Sequence, residues 1–334
     1  MKPTTNTLFS MCMTFLLALS TSFCYADTTS PKDTLRVMVW NALHGANDVT
    51  NGAEKALKII RETKPDIVLL QESYDINDER PKLGEWLAGE LGWNQHQAES
   101  THLCVLTPLE IETTFFHHQW HGVGAKLRDA KGREVLAWST WIDYRAYITY
   151  ALRENPNMSD EDLLALEHTG SNRLKQTEGI IAHLLNSGQL SADIPLLVGG
   201  DWNCPSHLDW TVDTTRVYKR RRALPLPVSL AMSSAGFTDT FRMLHPNPVQ
   251  YPGITWSPMF RFKGEGEEQV DQCFDRIDRL YLKNPATPKD GLTLQPTSAH
   301  VLPLVLEDEN METIDREFPS DHGAVVIDLE WAKQ

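Results

Sequence analysis

IPLLVGGDWN, residues 194–203, sets the fold: an apolar run that ends on two glycines and delivers an aspartate and an asparagine. A continuous apolar run this short, bounded by turn formers, predicts a strand over 194–198 covered on both faces. The same arrangement recurs along the chain. Leu35–Trp40 (LRVMVW) ends at Asn41, and Asp66–Leu70 (DIVLL) delivers Gln71, Glu72 and Ser73. Ser320, Asp321 and His322 stand just ahead of the strand-like run Ala324–Leu329. Side chains at the ends of neighbouring strands can be aimed into one cleft.

Helices separate these strands. Ala53, Ala56, Leu57 and Ile60 follow a helical stripe over residues 51–63, stopped by Lys64 and Pro65. A polar, tryptophan-containing helix is expected over 80–91. Val135–Ile142 and the run before it predict a hairpin through Asp129–Gly132. Residues 160–187 read as mostly helical, with Leu174, Ile181, Leu184 and Leu185 on one face. Residues 203–227 read as a loop punctuated by Pro205, Pro225 and Pro227, and Leu280–Leu282 as a further strand. The charged stretches 263–272 and 306–317 read as solvated loops. Strands interleaved with helices indicate α/β, and no Gly/Ser tract divides the chain, so residues 27–334 are expected to form a single domain.

Residues 1–26 are expected to be a signal peptide cleaved after Ala26. Lys2 supplies a positive start, residues 8–19 a short apolar stretch, and Cys24, Tyr25 and Ala26 the processing region. The address is therefore periplasmic or secreted, with no transmembrane segment in the mature chain and a monomer as the expected state. A net charge of −14 over 334 residues disfavours a general polyanion binder. Beyond the leader remain Cys104, Cys204 and Cys273, enough for one disulfide at most, and no cysteine–histidine spacing suggests zinc.

Phosphoesters resist hydrolysis because their anionic oxygens repel the nucleophile and the departing alkoxide needs its charge stabilised. A divalent metal answers both demands. Mg²⁺ or Mn²⁺ takes oxygen ligands and leaves positions for water and substrate. Glu72, Asp201 and Asp321 are carboxylates placed for that task, while Asn41 and Asn203 can touch a metal or a phosphate oxygen without adding repulsion. His322 and Asp278 suggest an imidazole held by a carboxylate. Paired carboxylates alone also suit a glycosidase, but that reading leaves Asn203 and the histidine unexplained.

The ordered motifs WNALHG, DIVLLQE, GGDWN, RIDRLY and SDH resemble the endonuclease/exonuclease/phosphatase superfamily, from about residue 35 to 329. The resemblance implies a four-layered α/β/β/α sandwich of two packed mixed sheets with a site at one edge. It also implies metal ligation by Glu72, with Asn41 and Asp321 near the same metal. Asp201 would position or activate water, Asn203 would hold the phosphate, and Asp278 would pair with His322. The implied partner is a phosphorylated substrate: nucleic acid, a phospholipid head group or a small phosphoester.

One position departs from the family pattern. Many relatives carry Asn-Thr-His-Leu-Asp where this chain has Ser139-Thr140-Trp141-Ile142-Asp143, so Trp141 replaces the histidine associated with the leaving group. The family's following Arg-x-x-Gln is present as Arg173 and Gln176. His44, Asp143 and Arg145 are the candidates to compensate by binding substrate, Arg145 through a phosphate-matching fork. The alternative is a phospholigand-binding protein of the same fold without catalysis. Trp141, Tyr144, Tyr147 and Tyr150 are candidates for an aromatic wall, and the basic run at Arg216 and 219–222 reads as a solvated face.

Overall fold

The computed structural model describes residues 33–74, 81–218, 221–257, 262–263, 270–271, 274–308 and 310–334. The expected leader, Cys273, Lys219, Arg220 and most of the 263–272 loop lie outside these residues. Asp33–Gln334 forms one compact unit.

Fourteen strands are described: β1 (Thr34–Asn41), β2 (Ile67–Gln71), β3 (Asn94–His96), β4 (Cys104–Thr107), β5 (Glu110–His118), β6 (Gly122–Arg128) and β7 (Glu134–Trp141), followed by β8 (Leu196–Asp201), β9 (Thr238–Asp239), β10 (Phe262–Lys263), β11 (Val270–Asp271), β12 (Asp278–Lys283), β13 (Leu292–Leu302) and β14 (Ala324–Lys333). One six-stranded sheet runs β13-β14-β1-β2-β4-β3, the other β5-β6-β7-β8-β12-β9, and β10 pairs with β11 alone. Both large sheets are mixed, with β1 parallel to β2 and β7 parallel to β8.

The period of two along each strand builds the layers. Leu35, Val37 and Val39 of β1 pack between the sheets with Ile67, Leu69, Leu197, Leu280 and Leu282. Met38 and Trp40 point the other way, against Ala56, Leu57 and Ile60 of helix Gly52–Thr63 and Leu83 and Leu87 of helix Leu83–Leu91. In the second sheet Leu196, Val198 and Tyr281 pack outward on Ile180 and Leu184 of helix Arg173–Asn186 and Val228 and Met232 of helix Pro227–Ser234. The result is the α/β/β/α sandwich. Each such buried aliphatic side chain contributes roughly 1.5–3 kcal/mol, against about 0–1 kcal/mol for an exposed ion pair, so the three apolar layers hold the fold.

Two glycines bring β8 close to its neighbours. A Cβ on Gly199 would lie 2.6 Å from Val39 Cγ2 of the facing sheet, and one on Gly200 would lie 1.9 Å from the Thr140 carbonyl oxygen. Only backbone fits there.

Several expectations need correction. Residues 203–227 are not all loop, because Thr211 and Thr214 form a capping box that starts a helix over Val212–Val217. Residues 160–187 are mostly helical as expected: helix Asp160–Ala165 widens into a π-helical turn at Leu166–Gly170 and is followed by helix Arg173–Asn186. Nor is the basic run simply solvated: Arg221 is buried, donating to the Phe274 carbonyl and stacking on Tyr218. Cys104 and Cys204 are both buried and free. Among the described residues no helix is long and apolar enough to cross a membrane.

Candidate active site

Strand polarity gathers the site at one edge. Parallel β1 and β2 bring Asn41 and Glu72 side by side, since Asn41 is in register with Gln71. In the other sheet β8 ends at Asp201, and antiparallel β12 starts directly opposite it with Asp278. β14 runs antiparallel to β1, so the residues just before it return to the same edge. Ser320 Oγ fixes that return by donating to the Asn41 carbonyl at 2.7 Å, and it accepts from the His322 amide at 3.0 Å.

Asn41 stands between two carboxylates. Its Nδ2 donates to Glu72 Oε1 at 3.0 Å and Asp201 Oδ2 at 3.1 Å, while its Oδ1 accepts from the Leu43 amide at 3.0 Å. Asp201 Oδ1 accepts from the Asn203 amide at 2.8 Å, closing an Asx-turn. Asn203 Nδ2 divides its hydrogens between the Ile142 carbonyl at 2.8 Å and Asp201 Oδ2 at 3.1 Å. Glu72 and Asn203 both adopt positive φ, 53° and 48°, and Leu43, His44 and Ala46 do likewise nearby. Such backbone costs of order 1–3 kcal/mol per residue and persists where surrounding contacts over-determine it.

His322 Nδ1 lies 2.9 Å from Asp278 Oδ2, with Nε2 4.0 Å from Asp201 Oδ2 and 3.9 Å from Asp321 Oδ1. Burial opposes charging this imidazole, but Asp278, Asp201 and Asp321 outweigh it and hold its pKa well above the usual histidine value. Burial, reinforced by Asp278, pushes Asp201 up to about 7, although His322, Asn203 and Asn41 favour its charged form. Burial also raises Asp321. Arg276, two residues before Asp278, is bound by Asp209 at 3.0 Å and Asp239 at 2.7 Å.

These groups open onto a cleft of about 440 Å³ lined by Leu43, His44, Glu72, Tyr74, His102, Trp120, Trp141, Tyr144, Asp201, Asn203, Trp256, Asp321 and His322. Tyr74, His102, Trp120 and Trp256 carried no sequence signal. His102 Nδ1 accepts from the Glu72 amide at 3.1 Å, which leaves Nε2 as a donor toward the Trp120 carbonyl at 3.2 Å. Burial depresses its pKa to about 4, so it serves as a neutral support for Glu72. Trp256 Nε1 donates to Asp321 Oδ2 at 3.3 Å, and Ser257 Oγ donates to the Asp321 carbonyl at 2.8 Å.

The weaker candidates separate. His44 lines the cleft, and its hydrogen bond to Asp48 raises its pKa. Asp143 and Arg145 are not among the lining residues. Asp143 accepts from Arg145 Nε and Nη2 at 2.8 and 3.0 Å and from the Asn172 amide at 2.9 Å, so its oxygens organise their own loop. Arg173 and Gln176 belong to that framework: Arg173 donates to the carbonyls of Asp143, Arg145 and Ala146, and Gln176 Oε1 accepts from the Asp143 amide. Trp141 meets His102 edge-on with centroids 5.4 Å apart.

The donor set suits a hard divalent cation. Asp321 Oδ1 and Asp278 Oδ1 are buried without a hydrogen-bond partner among the described residues. Glu72, Asp201, Asp278 and Asp321 concentrate acidic groups around one imidazole, a charge excess that a cation offsets. Asp201, Asp278 and His322 offer atoms within 4.8 Å of one another. Asp278 is sealed and already holds the imidazole, whereas Glu72 and Asp321 line the open cleft. The latter pair is the better seat for an ion that must also meet substrate.

A two-sheet α/β sandwich that gathers acidic groups and a carboxylate-held imidazole at one edge belongs to the phosphoesterase class of folds. The chain belongs to the endonuclease/exonuclease/phosphatase family, whose model matches residues 38–322 and whose members hydrolyse phosphoester bonds. It is 30% identical over 325 residues to an uncharacterised Caenorhabditis elegans protein, covering 94% of this chain and 97% of the relative. Its fold is similar to D. rerio TDP2 complexed with single strand DNA product, with TM-score 0.54 and 11% identity over 90% of this chain and 100% of that one. It is also similar to the human Nocturnin catalytic domain with bound sulfate anion, with TM-score 0.53 and 18% identity over 90% and 96% of the two chains.

Proposed function

We propose that the protein is a metal-dependent phosphoesterase that hydrolyses a phosphodiester or phosphomonoester by attack of water. The observation that carries this reading is the Asp278–His322 pair beside Asp201 in a cleft also lined by Glu72 and Asp321. A bound Mg²⁺ or Mn²⁺ held by Glu72 and Asp321, with Asn41 fixing Glu72, would neutralise phosphoryl charge. Ionised Asp201 orients the attacking water and takes its proton. His322, kept protonated by Asp278, stabilises the charge that develops on the phosphoryl oxygens. Asn203 offers Nδ2 to the phosphate as substrate competes for the hydrogen now given to Asp201.

The experiment is a panel of aryl phosphomonoester, aryl phosphodiester, DNA, RNA and sphingomyelin, each with Mg²⁺, Mn²⁺ or chelator. Metal-dependent turnover of at least one substrate is expected, and its loss in Asp201→Asn and His322→Ala. Turnover that survives both substitutions would reject the assigned site. Trp141 favours a second reading, a phospholigand-binding protein, to which binding without turnover across the whole panel would point. We further propose a periplasmic or secreted location after cleavage behind Ala26. N-terminal sequencing of the exported protein would give Asp27 first, and a retained Met1 would reject it.

A further inference from the structure

Beside the cleft, a second hollow of about 220 Å³ is lined by Tyr144, Tyr147, Tyr150, Asn203, Trp256 and Ile277. It shares Tyr144, Asn203 and Trp256 with the cleft, so one molecule can occupy both. Trp256 also lies 6.2 Å, centroid to centroid, from His322.

Three of its rings cross one another. Tyr147 and Trp256 meet at 90° with centroids 5.7 Å apart, Tyr147 and Tyr150 at 84° and 5.3 Å, and Tyr150 and Trp256 at 65° and 5.6 Å. Parallel rings would make a slot for a flat base, whereas crossed rings make a corner complementary to a compact, rounded group. The wall is chiefly ring carbon, and the Asn203 amide already donates to Ile142 and Asp201. A base or sugar would bring donors and acceptors that this wall answers poorly.

The corner is also suited to positive charge. Tyr147 Oη donates to buried Asp275 Oδ2 at 2.7 Å, which increases the electron density of its ring. Tyr150 already takes a cation, with the Arg153 guanidinium 4.3 Å from its centroid. A fully alkylated ammonium needs no hydrogen bond and is attracted to ring faces.

We propose that the Tyr147–Tyr150–Trp256 corner binds a quaternary ammonium group carried by the substrate beside its phosphoryl group. Its role in turnover rests on the phosphoesterase reading; binding itself does not.

Calorimetric titration of the full chain with choline, and with its uncharged carbon isostere dimethylbutanol, separates charge recognition from mere apolar fit. Choline is expected to bind about 10-fold more tightly. Tyr150→Leu is expected to erase that preference, and Tyr150→Phe, which keeps the ring, to retain it. Equal affinity, or tighter binding of the neutral compound, would overturn the ammonium site while leaving the phosphoesterase reading in place. Nitrophenyl phosphorylcholine and its neutral isostere then carry the comparison into turnover, where KM is expected to follow the same order. Choline preference without turnover of either ester would retain the binding site and overturn its role in turnover.

Discussion

Asp278 holds His322 through Nδ1 at 2.9 Å, which makes Nε2 the ring nitrogen nearest Asp201 and Asp321. The pair spans the two sheets, because Asp278 opens β12 in one and His322 precedes β14 in the other. An imidazole gripped this way keeps one orientation and favours its charged form.

Asp278→Asn removes the charge that keeps His322 protonated. Because the active imidazole is the protonated one, activity is retained below its folded pKa and lost as pH rises through it. The substitution is expected to move that alkaline limb to lower pH and to reduce kcat roughly 10²–10⁴-fold. A pH–rate profile checks it, and an alkaline limb that stays in place would reject the assignment.

Asp201 separates activity from stability. Its folded pKa of about 7 exceeds the ordinary value of 3.8, so the folded state binds the extra proton between those values. Stability from this group is therefore present at low pH and declines as pH rises toward 7. Asp201→Asn is expected to abolish turnover yet raise Tm in metal-free buffer, with the gain growing from pH 4 to pH 8. Thermal melts across that range test the sign, and a gain confined to acid pH would contradict it.

Metal removal should act on folding as well as turnover. EDTA is expected to lower Tm and stop catalysis, with Mg²⁺ or Mn²⁺ restoring both, since an ion that binds only the folded chain stabilises it by mass action. Glu72→Gln should weaken the ion by at least about 10-fold, a scale already reached by losses in the shell beyond the ligands. The readout is the metal concentration needed to shift Tm; an unchanged titration would exclude Glu72 as a ligand.

Arg173 and Glu167 are a fully buried pair, 2.7 Å apart, beneath the Asp143–Ala146 turn. Arg173→Met alone strands a buried carboxylate and should cost roughly 3–5 kcal/mol in denaturant unfolding. Adding Glu167→Leu should recover much of it. A double variant as unstable as the single one would mean that the carbonyl contacts of Arg173 dominate.

Trp141 is a test of leaving-group chemistry. Trp141→His is expected to accelerate alkyl phosphodiesters, whose departing oxygen needs a proton, more than aryl ones. Equal effects on both would remove the link between this residue and the departing group.

Much of this was legible in sequence for a physical reason. Runs such as Val37–Trp40 and Ile194–Val198 are covered on both faces, so burial writes itself into their composition. β5 was not, because its burial alternates irregularly and it lies at a sheet edge. β13 is broken at Pro296–Ser298 by a register shift and mixes exposed with covered positions. At the site, Glu72, Asp201 and His322 stand next to strands, which made their placement readable. His102 and Trp256 reach the cleft through loops, and their partners lie 30 and 65 residues away, distances that local pattern cannot encode.

The hydrogen bond from Ser320 to Asn41 joins positions 279 apart in the chain. β1 therefore emerges from the ribosome with its edge toward β14 unpaired, and the acidic groups around Asn41 gain Asp321 and His322 as neighbours only when β14 docks. Chemistry in this protein waits for that docking: a fragment without β14 carries strands of both sheets but not the completed cleft. Non-local closure of this kind slows folding, and catalytic competence should arrive as its last observable phase.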